Sequence, residues 1–110
     1  MIYLENNLVT IEEIKDFLRL DEDYEDNKLK SWIIISKIKI KISSGLSPDE
    51  IKDPDILELY KLTQLVIINN LYEDPSGTIG DTPGLISLFI QLESYKNTLI
   101  LNGGNNATKN

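Results

Sequence analysis

Apolar residues recur at helical spacing through most of this chain, and prolines, glycines and small capping residues punctuate the runs. Ile11, Ile14, Phe17 and Leu18 fall at i, i+3, i+6 and i+7, on one side of a 3.6-residue helix. Thr10 stands before them and Glu13 three residues after it, the spacing of a capping box in which hydroxyl and carboxylate each take a free amide. Leu8 or Val9 ahead of the cap can staple against Ile14. This pattern predicts a first helix from about Thr10 to Arg19. A second is predicted from about Asp23 to Ser43, closed by Gly45, since glycine tolerates the left-handed turn that ends a helix. A third starts at Asp53-Pro54, a cap followed by a proline whose missing N–H costs nothing in the first turn. It carries apolar residues from Ile56 to Tyr72 and ends near Asp74-Pro75. A fourth opens at Thr82-Pro83 with the same signal and carries Leu85, Ile86, Leu88, Phe89, Leu92 and Tyr95.

One stretch argues against this scheme. Lys37 to Ile42 reads KIKIKI, a strict alternation that is a strand signature. No turn residue separates it from Asn27 to Ser36, so helix is the reading adopted. On a helical wheel the second helix then has two apolar stripes. Leu29, Ile33, Ser36 and Ile40 share one, with Trp32 beside it, and Ile34, Ile35, Ile38 and Ile42 share the other. Lysines fill both gaps between the stripes. A surface helix needs a single apolar stripe. Two stripes mean either a central helix covered on both sides by its own domain, or a helix with one side on its core and the other on a neighbouring copy. The third helix is apolar nearly all round and competes for the central place, which favours the neighbouring copy. The candidate subunit interface is Trp32, Ile34, Ile35, Ile38 and Ile42.

The fold class expected is therefore all-α: a small bundle of about four helices. A Gly/Pro/Ser/Thr-rich loop near 75–84 is expected to be mobile, and its residues Ser76, Gly77, Thr78, Ile79, Gly80 and Asp81 form a candidate partner-docking loop. Residues 1–101 read as one helical domain. Residues 102–110, NGGNNATKN, read as a flexible, disordered polar tail.

Composition narrows the chemistry. The 110 residues contain no cysteine and no histidine, which removes disulfides, thiolate nucleophiles, the usual zinc ligands and imidazole acid–base catalysis. Asp21, Glu22, Asp23, Glu25 and Asp26 invite a calcium reading, but they lack the loop spacing and the turn glycine. At the start of a helix they are explained by its positive dipole end. Gly77, Gly80 and Gly84 lack the Lys-Ser/Thr of a phosphate cradle. No enzyme activity, metal or cofactor is expected. Eleven basic against 18 acidic residues give a formal charge of −7, a surface that repels nucleic acid unless its lysines are segregated. Lys28, Lys30, Lys37, Lys39 and Lys41 are the only basic cluster, and lysines flanking apolar stripes serve more often as snorkelling contacts than as phosphate ligands. No basic-then-apolar leader and no apolar run near ~20 residues is present, so the chain is expected on the cytoplasmic side, with no membrane partner.

The order of these elements resembles a known family. VTIEEIKDFLRLD (Val9 to Asp21) with the acids after it, Leu71-Tyr72-Glu73 at the end of the third helix, and Tyr95-Lys96 in the fourth are similar to the small head–tail connector, or adaptor, proteins of long-tailed bacteriophages, also described as phage DNA-packaging proteins. The resemblance spans about Leu8 to Lys96. It implies an α-helical structural protein that assembles as a homo-oligomeric ring, commonly twelvefold. Such a ring sits beneath the portal protein and extends the DNA channel toward the tail or stopper protein. The resemblance further implies synthesis in the bacterial host cytoplasm and residence in the virion neck, with DNA passing through without sequence-specific binding. The chain departs from the family pattern in its lysine–isoleucine alternation at 37–42 and in its Gly/Asn-rich end. Two rival readings come from other classes. One is a small helical DNA-binding regulator, suggested by a capped helix, short turn and second helix, and opposed by the acids in the turn and the absence of base-reading side chains. The other is an intracellular protein-interaction or antitoxin-like module.

Overall fold

The computed structural model describes residues 8–109 apart from residue 79, with side chains described as far as residue 102. Thr10 starts the first helix as its spacing predicts: the Glu13 amide donates to Thr10 Oγ1 at 3.1 Å, and the Thr10 amide donates to Glu13 Oε1 at 2.8 Å. The helix α1 runs Ile11–Leu18, and Arg19 ends it in the left-handed conformation at φ 58°. Val9 supplies the staple: it is buried in the same apolar cluster as Ile14, whereas Leu8 packs on the other cluster.

The second helix, α2, spans Asp26–Ser44, so KIKIKI is helical. Its start lies three residues later than the acids suggest, because Asp21 to Glu25 form a turn in which the Tyr24 amide donates to the Asp21 carbonyl at 3.0 Å. Gly45 closes α2 at φ 78°. The left-handed turn is the reason for glycine there. A short 3-10 turn at Pro48–Glu50 follows. Asp53 caps α3 (Pro54–Glu73) by accepting the Asp55 amide at 2.9 Å. Thr82 caps α4 (Pro83–Lys109) by accepting the Leu85 amide at 3.2 Å.

The backbone of α4 stays helical through Lys109, where a disordered polar tail from Asn102 was expected. At 27 residues α4 is about 40 Å long. Among the side chains described, Leu99 is the last of α4 packed on the core, and Ile100 and Leu101 lie beyond, exposed. Among the described residues there is no strand, and no helix is long and apolar enough to cross a membrane.

The three long helices each pack on the other two, and α1 lies across α2 and α3. Ser36 meets Gln64 and Trp32 meets Tyr72, so α2 and α3 run antiparallel. Lys52, just before α3, meets Tyr95, midway along α4, and Leu71 near the end of α3 shares a cleft with Leu85 near the start of α4, so those two are antiparallel as well. Two apolar clusters result. The larger joins α2, α3 and α4 through Ile40, Tyr60, Ile67, Leu85, Phe89 and Leu92. The smaller joins α1 to α2 and α3 through Val9, Ile14, Leu29, Trp32 and Ile68.

Candidate subunit interface on the second helix

The two stripes of α2 meet different surroundings. Leu29, Trp32, Ser36 and Ile40 face inward and are buried, with Ile33 half-buried beside them. Ile34, Ile35, Ile38 and Ile42 face outward, each between 43% and 80% exposed. The outward stripe is about 100° wide on the wheel, as broad as the apolar side of an ordinary core-facing helix. Among the described residues it is covered only at its margins, where Ile35 lines a cleft with α3 and the loop that follows it, and Ile38 and Ile42 border Ser47 and Pro48. Lys30, Lys37 and Lys41 edge it on one side, Lys28 and Lys39 on the other. Of the two arrangements the pattern left open, wrapping on both sides is not achieved by the described residues.

Trp32 does not belong with that stripe. It is 8% exposed, and its ring lies 6.4 Å from that of Tyr24 and 6.3 Å, edge-on, from that of Tyr72. The ammonium of Lys28 stands 5.8 Å from its centroid, within cation–π range. Large aromatics bury wherever neighbouring elements reach them, and here the turn after α1 and the end of α3 do so. The candidate interface is thereby reduced to the four isoleucines.

The loop after α3 is organised by Asp74. Ser76 Oγ donates to Asp74 Oδ1 at 2.6 Å, Thr78 Oγ1 to Asp74 Oδ2 at 3.4 Å, and the Gly77 amide to the Asp74 carbonyl at 3.0 Å. Asp81 pairs with Lys39 of α2 at 2.8 Å, which ties the far end of the loop to the lysine edge of the stripe. Ser76, Gly77, Thr78, Gly80 and Asp81 are all exposed, and Ile79 lies outside the described residues. A cleft of about 300 Å³ opens between this loop, α2 and α3, lined by Ile35, Lys39, Ile67, Leu71, Asp81 and Leu85 among others. Ile35 belongs to both cleft and stripe, so the candidate interface and the candidate docking loop form one continuous region.

Two buried polar arrangements hold α2 in register, and periodicity hinted at only one. Ser36 sits on the inward stripe where an apolar residue is the norm. Its hydroxyl donates to the Ile33 carbonyl at 2.8 Å and accepts from Gln64 Nε2 at 3.0 Å, while Gln64 Oε1 accepts the Val9 amide at 3.0 Å. One fully buried side chain thus ties the segment entering α1, α2 and α3 together. Ser44 Oγ donates to the Ile40 carbonyl at 2.7 Å and accepts the Leu46 amide at 3.2 Å, fastening the chain as it leaves α2. A polar residue inside an apolar run is the sequence signal for Ser36. Gln64 gives none, because amides also occur on exposed helix faces.

At the other end, Glu50 pairs with Lys96, and the Lys52 amide donates to Tyr95 Oη at 3.1 Å. Partial burial works to raise the Glu50 carboxyl, but the Lys96 ammonium, the Ser47 amide and the more distant Lys41 outweigh it and hold the group below its ordinary value. The Tyr60 hydroxyl is buried and has no hydrogen-bond partner among the described residues. Burial, with a smaller push from Asp49, raises its pKa well above that of an ordinary phenol. Of the acids between α1 and the first turn of α2, Asp26 pairs with Lys15 at 3.0 Å. Among the described residues, no three carboxylates converge where they could hold a metal ion.

No family model, curated protein or solved structure matches the chain. The geometry of the outward α2 stripe therefore carries the functional argument.

Proposed function

We propose that the protein is a non-enzymatic structural subunit of a phage head–tail connector. In this reading copies associate through α2 into a ring beneath the portal and extend the DNA channel toward the tail or stopper protein. The observation that carries it is the outward stripe Ile34, Ile35, Ile38 and Ile42, exposed among the described residues while the opposite side of the same helix is buried. Contiguous apolar surface of this kind marks protein contact sites. The stripe presents isoleucine where a recognition helix would present Arg, Gln or Asn, which supports protein contact over base reading. The order of capped helices and the Leu71-Tyr72-Glu73 and Tyr95-Lys96 signatures support the connector class in particular. The loop from Ser76 to Asp81 is the proposed contact with portal or tail protein. A net charge of −7 suits a channel wall that lets DNA slide without sticking.

Solution mass tests the reading. Light scattering of the protein mixed with purified portal is expected to show a co-assembled, multi-copy species. Monomer at high concentration with portal present overturns it.

A further inference from the structure

The outward stripe of α2 is not its own complement. Ile34, Ile38 and Ile42 run along it, with Lys30 and Lys37 on one edge and Lys28 on the other. Laid on a second copy of itself, it would set lysine against lysine across a desolvated apolar strip, and like charges so placed oppose association. The matching surface is an apolar strip that carries acids. The outward side of α3 has that composition. Leu62 is 42% exposed, Leu65 and Val66 are half-buried beside it, and Asp55, Glu58 and Glu73 are exposed on the same side of the wheel. The carboxylates of Asp55 and Glu58, like the ammoniums of Lys30 and Lys37, have no ion-pair partner within the described chain. The outward side of α4 offers Ile86 and Ile90 but only one acid, Glu93.

We propose that the α2 stripe of one copy seats on the outward side of α3 of a second copy. The isoleucines and Leu62 supply buried area, and the lysine edges and α3 acids select the partner surface and its orientation. Two different surfaces meet, so the contact is head-to-tail. Each added copy leaves one stripe and one α3 side free, and growth continues until a ring closes. This deepens the connector reading by naming the surface that the α2 stripe meets, and rests on that reading only for the setting in which the ring is used.

The absence of cysteine makes the test direct. Full-length Ile38→Cys, Leu62→Cys and Ile90→Cys proteins are mixed in pairs, each member carrying a distinguishable tag. They are joined with a bis-maleimide long enough to tolerate a slip of one helical turn, ~5.4 Å. The expected result is that 38-to-62 product exceeds 38-to-38, 62-to-62 and 38-to-90 product several-fold. Lys30→Glu with Lys37→Glu in the Ile38→Cys chain should reduce it, and Asp55→Lys with Glu58→Lys in the Leu62→Cys chain should restore it. Circular dichroism checks that each variant is helical, and should a charge variant misfold, the cysteine pairs still decide. Equal or greater self-joined or 38-to-90 product, or no product, overturns the proposal. If portal co-assembly occurs without 38-to-62 product, the pairing fails and the connector reading stands. If 38-to-62 product forms but portal does not associate, the reverse holds.

Discussion

Ile40 and Ile42 lie two residues apart on α2. One is fully buried, and the other is 80% exposed. The alternation KIKIKI places them on opposite sides of the same helix, because two steps of about 100° nearly reverse direction. The inward side meets α3 and α4 and is interrupted by Ser36 and Ser44, each hydrogen-bonded. From Ile34 to Ile42 the outward side has no polar interruption, and the described residues leave it largely exposed. Hydrophobicity alone would rank the outward side as the better core. Burial followed instead from which side the neighbouring helices could cover, and polar groups were tolerated inside where each found a partner.

The comparison can be broken most severely at the inward side. Ile40→Ala removes buried methylenes between three helices and should cost about 2–5 kcal/mol in urea unfolding. Ile42→Ser should stay within about 0.5 kcal/mol, since it changes only exposed surface. A comparable loss for both would mean that the two sides are not distinct in the folded monomer. Gln64→Ala should rank next, at about 1–3 kcal/mol, because it leaves the Val9 amide and the Ser36 hydroxyl without their shared partner. Hydrogen exchange at Val9 should accelerate with it.

The remaining predictions concern pH and are smaller. The folded Tyr60 phenol titrates above its ordinary value of 10.0, so the stability it contributes is complete below that value and is lost as pH rises beyond it toward the folded pKa. Tyr60→Phe removes an unpartnered hydroxyl. It should be neutral or slightly stabilising at pH 7, and should flatten the alkaline part of the melting profile. Glu50 behaves oppositely: its folded pKa lies below 4.5, so its contribution is complete above that value and is lost as pH falls through the folded pKa. As a partly exposed ion pair it is worth about 0.2–1 kcal/mol, and Glu50→Gln should remove that acid-side slope in a pH series of melts.

Local signals predicted most of the fold. Thr10–Glu13, Asp53-Pro54, Thr82-Pro83 and Gly45 each act within one helical turn, so residues a few positions apart sufficed to place them. The continuity of α2 through KIKIKI was legible for the same reason: no breaker interrupts it. Burial of Trp32 was not legible, because it depends on Tyr72, forty positions away, and on a turn whose path the acids obscured. Gln64 escaped notice on the same grounds, its partners Val9 and Ser36 being 55 and 28 residues distant. The two stripes of α2 were visible as a pattern, but which of them the bundle covers is a property of how three helices pack together.

Trp32 has one more consequence. It is the single tryptophan of the chain, sealed between Tyr24 and Tyr72 on the side of α2 away from the isoleucines. The molecule therefore carries one native indole fluorophore placed to report folding and not association. Its emission should shift to the red when the bundle opens and hold steady when copies dock, so a titration that changes mass without changing colour separates the two events in unlabelled protein.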